Sequence, residues 1–247
     1  MSIKQFPGGI ITKNPTAPSG PYETGAAPGI WTLNQVANYI KQGIWPIAGN
    51  IEIGSAYGGG FFAGQIGVNG VATHNLVIGP VASAQNTSKQ WKNATTTTAG
   101  ADSVIDGPQN TADMVADGNS TVYPAAHFCN DLVIGGFSDW YMPAKNELEV
   151  CYFNLKPTTD SNNTSSGINA NAVPARASNY TAGTPAQTSA AAFKDTGAED
   201  FAAVGYWAST ETNATNAWPL FFNNGNQYNG TTKTNSYRVR AIRRVAV

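Results

Sequence analysis

The side chains that could do chemistry are few and scattered. Histidine occurs twice, at His74 and His127, and cysteine twice, at Cys129 and Cys151. A zinc site draws three or four His, Cys or carboxylate ligands at short recurring spacings, and no such cluster is present. No nucleophile and base converge in one motif either. The glycine-rich run Tyr57-Gly58-Gly59-Gly60-Phe61-Phe62-Ala63-Gly64-Gln65-Ile66-Gly67 could cradle a phosphate. No Gly-Lys-Ser/Thr and no helical pattern follow it, so that reading fails. The arginines of Tyr237–Val245 could gather an anion. An internal salt bridge is the stronger reading, with Glu211 as the expected partner of one of them. The expectation is no catalytic residue, no metal and no cofactor.

Recognition chemistry is better supplied. Asn213, Asn216, Trp218, Asn223, Asn224, Asn226, Tyr228 and Asn229 fall between aromatic core positions. Amide side chains donate and accept hydrogen bonds, and tyrosine offers stiff contact area at low entropic cost. As a set they form the candidate ligand- or receptor-binding face. Taken singly, each Asn also fits an ordinary turn position with left-handed backbone. Trp218 divides evenly between core and contact.

Something must hold that face. The chain of 247 residues has room for one large domain, or a domain plus an appendage. With 14 basic and 15 acidic side chains the net charge is -1, and charged residues make up 12%. There is no basic face to neutralise phosphates, so nucleic acid is not an expected partner. No run approaches the roughly 20 apolar residues of a membrane helix, and the start lacks the apolar stretch of a secretion signal. The glycines and prolines, 26 and 14, suit a loop-rich β-containing domain. Six Trp, ten Tyr and ten Phe are enough to build a core. The two cysteines cannot make a disulfide framework. One bridge between helices and two reduced core thiols both stay open.

In chain order, residues 1–49 read as a Pro/Gly-rich extended arm followed by a short helix. Thr32 and Gln35 form its capping box, Leu33, Val36, Ala37 and Ile40 its apolar face, and Gly43 its stop. Trp31 and Trp45 flank it. Residues 50–247 read as the domain. Strands are expected over the glycine-rich run and over Asn75–Val81. Residues 82–120 read as a long excursion pinned by Trp91, with short helical pieces near Gln109–Val115. A helix is expected over Tyr123–Leu132, burying Ala125, Phe128, Cys129 and Leu132. The central stretch Gly135–Leu155 delivers Phe137, Trp140 and Tyr141, then a helix beginning at Pro143. Glu147 suits its positive end, and Leu148, Cys151, Tyr152 and Leu155 share one face. Residues 157–195 read as loops. A closing strand is expected over Tyr237–Val245, with Tyr237, Val239 and Ala241 facing in and Arg238, Arg240 and Ile242 facing the other way. The expected core residues are Trp91, Phe137, Trp140, Tyr141, Leu148, Tyr206, Trp207, Phe221 and Val239.

Three of these stretches carry a resemblance. Gly135-Gly136-Phe137-Ser138-Asp139-Trp140-Tyr141-Met142-Pro143, followed by Glu147-Leu148, resembles the signature Gly-Tyr-x-Asp-Trp-x-Leu-Pro-x-x-x-Glu-Leu. That signature belongs to the C-type lectin-like domains typified by the C-terminal domain of bacterial collagen-like adhesins. Tyr206-Trp207-Ala208-Ser209-Thr210-Glu211 is similar to the family's Tyr-Trp-Ser-Ser-Thr-Glu. The Phe221–Gly225 strand and turn and Arg238-Val239-Arg240-Ala241-Ile242-Arg243 match its closing motif. The resemblance runs from about Ile51 to Val247 and departs at Ala144, where a Ser or Thr cap is common, and at Ala208. It implies an α+β, C-type lectin-like fold with small twisted antiparallel sheets, two to three helices and long loops, behind the extended N-terminal arm. It does not extend to calcium chemistry, because neither a Glu-Pro-Asn nor a Trp-Asn-Asp triplet is present. Nor does it suggest the formylglycine-generating oxidases of the same broad fold, since Cys129 and Cys151 lie on helix packing faces.

The arm, with Phe6-Pro7-Gly8-Gly9 and Ala26–Leu33, is similar to the start of virion structural proteins of tailed phages, especially those of marine bacteria. Together the two resemblances imply a virion protein, a tail fibre or receptor-binding protein. In it the arm docks to other virion proteins and a lectin-like head meets a host-surface glycan or protein. The alternative is a decoration protein that only stabilises the shell. Avidity favours a homo-oligomer, and the family implies a trimer.

Overall fold

The computed structural model describes Thr32, Asn34, Gln35 and residues 51–247. Contacts divide the chain after Glu52, and Ile53–Val247 forms one unit. The arm and the body of the first expected helix lie outside the described residues. Its capping box does not. The Thr32 N–H donates to Gln35 Oε1 at 2.9 Å, and the Gln35 N–H returns to Thr32 Oγ1 at 3.3 Å.

The unit is α+β. Strands β1 (Ala56–Tyr57), β2 (Gly60–Val68), β3 (Val71–Ile78) and β9 (Ile242–Ala246) make a four-stranded sheet in that order. A five-stranded sheet runs β4 (Gln85–Gln90), β8 (Ser236–Arg240), β5 (Gly205–Glu211), β6 (Asn216–Phe221) and β7 (Thr231–Thr232). All pairings are antiparallel except β5 with β8. The described helices are α1 (Val81–Ala84), α2 (Gly107–Asp117), α3 (Pro124–Asn130) and α4 (Lys145–Leu155), with a 3-10 turn at Ala191–Phe193.

The glycine-rich run is β2, which an Asn69-Gly70 turn joins to β3 as a hairpin. The excursion over 82–120 holds more order than its composition promises. Its polar Gln85–Gln90 is an edge strand on β8, and α2 is one 11-residue helix rather than short pieces. Asp106 caps α2 through the Gln109 N–H, with Pro108 in its first turn. Trp91 is fully buried and donates its Nε1–H to Ala208 O at 3.0 Å. Helix α3 stops at Asn130, two residues short of expectation. It buries Ala125, Ala126 and Cys129 and leaves Phe128 and Leu132 half-buried.

Helix α4 starts at Lys145, with Pro143 lying ahead of the cap residue Ala144. Ala144 has no oxygen to offer the helix. Glu147 compensates by accepting the Ala144 N–H at 2.8 Å. The face of Leu148, Cys151, Tyr152 and Leu155 is buried as the helical period requires. It meets Tyr206, Phe201, Phe222 and the first sheet in one apolar cluster. Trp91, Trp140, Trp207 and Val239 fill a second cluster with α2 and α3. Burying aromatic rings of this size contributes a large share of what holds such a domain together.

The expected closing strand is two strands. At Ala241 the chain leaves the second sheet for the first. The Ala241 N–H donates to Ala84 O and its carbonyl accepts the Gly79 N–H, both at 2.9 Å. The break resets the alternation, so Ile242 is buried where it was expected to face away from the core; Arg240, before the break, is also buried, covered by Glu199, Phe193 and Phe201. Two expected core residues also sit nearer the surface. Phe137 is 36% exposed, with the Arg243 guanidinium over its ring, 3.8 Å from the centroid. Phe221 is half-buried, edge-on to Tyr237. Trp91, Trp140, Tyr141, Leu148, Tyr206, Trp207 and Val239 are buried as expected.

Candidate functional site

Four glutamates are engaged in ion pairs inside the fold. Glu147, fully buried, accepts from Tyr141 OH and from Arg244 Nε, each at 2.6 Å. Burial pushes its carboxyl up, against the pull of the Arg244 charge. Glu149 takes Arg176, Tyr180 OH and Asn169 Nδ2, which ties the 157–195 loops to α4. Glu199 pairs with Arg240, whose guanidinium burial lowers to about 10. Glu211, expected to pair with an arginine, instead accepts from Lys233 Nζ at 2.8 Å. Lys233 reaches it across the β6–β7 hairpin, whereas the arginines are drawn to Asp139, Glu147 and Glu199.

Both cysteines are free and buried, and desolvation holds each thiol well above its ordinary value. His127 bonds Gly118 O at 2.7 Å. His74 lies in a cleft of about 260 Å³ beside Ile66, Ile105, Asp106 and Arg244. A second cleft of about 260 Å³ lies on the other side of Arg244, against Ser138 and Trp140. Among the described residues no His, Cys, Asp and Glu side chains gather as metal ligands would.

The amide-rich face resolves into two kinds of residue. Asn213 and Asn224 work inside their own turns. Asn213 Oδ1 accepts the Thr215 and Asn216 N–H groups at 2.9 Å, and Asn224 Oδ1 accepts the Asn226 N–H at 3.0 Å. These are local side-chain to backbone bonds of the turn-forming sort. Asn226 also closes the hairpin, its carbonyl accepting the Phe221 N–H.

The other residues are presented. The connection from β6 to β7 rests on the 157–195 loops, where the Asn163 N–H donates to Asn224 O at 2.7 Å and the Gln227 N–H to Ser166 Oγ at 3.1 Å. From that pinned base Tyr228 emerges 52% exposed, followed by exposed Asn229. Asn216 and Asn223 are half-buried. Thr212 Oγ1, Asn223 Oδ1 and Gln227 Nε2 are buried and find no hydrogen-bond partner among the described residues, and all three fall within 212–227. A buried polar atom left unpaired costs about 1–3 kcal/mol.

Trp218 is not an open platform. The Lys145 ammonium lies 4.3 Å from its ring centroid. Lys145, Thr212 and Gln227 were not legible as site residues. A cation in the first turn of a helix, where the dipole disfavours it, is the signal that points to Lys145.

The family described as the Lcl C-terminal domain matches residues 81–243, a narrower span than the Ile51–Val247 of the sequence resemblance. No curated protein matches the chain. Among solved structures, a fimbrial protein from Bacteroides ovatus ATCC 8483 is similar at 16% identity, with a TM-score of 0.43. That match covers 80% of this chain and 46% of the fimbrial chain, so this chain spans less than half of its length.

Proposed function

This chain belongs to the Lcl C-terminal domain family, and from that premise we propose that it is a binding module, a C-type lectin-like head displayed on a phage virion. It serves as a tail fibre or receptor-binding protein that recognises a host-surface glycan or protein and carries out no catalysis. Its N-terminal arm attaches it to other virion proteins, and the chains assemble as a homo-oligomer, a trimer by family analogy. The observation that carries the reading is the pinned connection between β6 and β7, which holds Tyr228 and Asn229 out on a rigid base. Pre-ordered contact residues lose little entropy on binding. The decoration reading is favoured by a different observation: Asn213 and Asn224 are consumed within their own turns.

The test uses the full chain. Fluorescent protein is expected to bind host cells, and Tyr228→Ala with Asn229→Ala is expected to weaken that binding at least about tenfold with the urea midpoint unchanged. Antibody to the chain is expected to label tail fibres on purified particles. Cell binding that survives both substitutions sinks the turn as the site. Label over the shell, with no cell binding, turns the reading to decoration, and unlabelled particles remove the virion from it.

A further inference from the structure

Three Asn-Gly pairs occur in the chain: Asn69-Gly70, Asn224-Gly225 and Asn229-Gly230. In such a pair the glycine backbone nitrogen can attack the asparagine side-chain carbon, Cγ. Glycine has no Cβ to hinder the approach or the backbone rotation it needs. The bond from the glycine nitrogen to Cγ forms as the Cγ–Nδ2 bond breaks. The displaced N–H proton leaves with the side-chain nitrogen as ammonia. Water then opens the succinimide ring at either carbonyl and leaves aspartate or isoaspartate. Water is the one co-reactant.

The fold treats the three pairs differently. Asn224-Gly225 is locked. The Gly225 N–H donates to Phe221 O at 2.7 Å, and Asn224 Oδ1 accepts the Asn226 N–H at 3.0 Å. Gly225 is also buried, against the rings of Tyr152 and Tyr180. Asn69-Gly70 is exposed but forms the tip of the β2–β3 hairpin. Asn69 has φ +51°, and Val68 pairs with Val71 across the turn, which fixes its backbone.

Asn229-Gly230 has neither restraint. Both residues are exposed. Among the described residues the Gly230 N–H donates to nothing, and the Asn229 side chain makes no hydrogen bond. The chain is tied before the pair, where the Gln227 N–H meets Ser166 Oγ, and after it, where Thr231 pairs with Ala217. Between those points the attacking nitrogen and the amide are both open to water.

We propose that Asn229 is a site of spontaneous conversion to aspartate and isoaspartate, and that the fold shields Asn224, in the same dipeptide, from that reaction. The product puts a negative charge beside Tyr228 where an amide stood. The isoaspartate form also lengthens the main chain between the two ties. On the reading of this turn as the contact surface, on which this consequence rests, receptor binding falls as the protein ages.

The test ages the folded full chain in mildly alkaline buffer, and tandem mass spectrometry places each conversion on its asparagine. Conversion at Asn229 is expected to run at least about tenfold faster than at Asn224, whose glycine nitrogen must first be freed by local opening. Asn69 is expected between them. In a chain unfolded by urea the three rates should fall within about threefold of one another, because the restraints are gone. Aged protein and Asn229→Asp are each expected to bind host cells about threefold or more weakly than fresh wild type. No conversion at Asn229 in the folded chain, Asn224 or Asn69 keeping pace with it, or the same spread of rates in urea overturns the proposal. Conversion with cell binding unchanged removes its consequence. Fresh protein that binds no cells overturns the recognition reading and leaves the chemistry at Asn229 standing.

Discussion

Asp139 and Arg243, 104 residues apart in the chain, meet through two parallel hydrogen bonds of 2.7 and 2.8 Å. The neighbouring Arg244 reaches Glu147. Adjacent strand residues point to opposite faces. The two arginines thus clamp the 135–148 stretch from both sides of β9, and the acidic residues of that stretch are fastenings.

Asp139→Asn keeps the shape and removes the charge. Arg243 holds the Asp139 carboxyl below its ordinary 3.8, chiefly through their hydrogen bonds. A depressed carboxyl contributes stability that is present above the unfolded value and lost as pH falls through the folded one. Because Asp139 is about half exposed, the cost near neutral pH should be about 1 kcal/mol. Urea melts of wild type and variant should separate near neutral pH and draw together as pH falls below 3.8. A gap that stays constant over that range contradicts the pairing.

Arg244→Ala strands a carboxylate that has no access to water. The expected loss is about 3–5 kcal/mol. Replacing Arg244 by Leu together with Glu147→Gln should recover part of that loss, since no buried charge is left and the side-chain amide still bonds Tyr141 and Ala144. The folded Glu147 carboxyl is already raised above its ordinary 4.5 by burial, and it rises further once Arg244 is gone. A raised carboxyl contributes stability below the unfolded value and loses it as pH rises through the folded one. The deficit of Arg244→Ala relative to wild type should therefore shrink as pH falls toward about 4.5, as followed by denaturant melts.

Two glycines separate strain from clash. Gly136 has φ +83° with nothing within 4 Å of an added Cβ, so Gly136→Ala should cost about 1–2 kcal/mol. Gly225 has φ +73°, and a Cβ there would lie 2.3 Å from Tyr152 Cε1 and 2.8 Å from Tyr180 Cε2. Gly225→Ala should lose at least about 3 kcal/mol and cell binding with it, because the base under Tyr228 shifts. Equal melting points for the two variants would refute the packing described at Gly225.

The thiols of Cys129 and Cys151 should be silent to a thiol reagent in the native protein and react together on unfolding. Titration with a chromogenic disulfide along a urea gradient reads this directly. Reaction of either thiol before the unfolding midpoint would place it at the surface.

What was legible in the sequence was periodic or local. The buried face of α4 follows from apolar residues at helical spacing, and the Thr32–Gln35 capping box from a four-residue pattern. What escaped was decided by partners distant in sequence. Glu147 looked like a dipole-matching residue, and its main partner lies 97 residues away. Strand β4 has no apolar alternation, because its backbone bonds to β8 hold it in place. The break at Ala241 depends on Gly79 and Ala84, which no local pattern near residue 241 announces. At the candidate site the chemistry of Asn was legible, but which amides turns consume and which remain presented was not.

Strands β8 and β9 have a consequence for synthesis. One completes the centre of the second sheet and the other the edge of the first, and both lie beyond residue 235. A nascent chain cannot close either sheet until that last stretch has left the ribosome. Folding of this unit therefore waits for residues 236–246, and products terminated before residue 236 should be degraded or aggregate through their uncovered tryptophans.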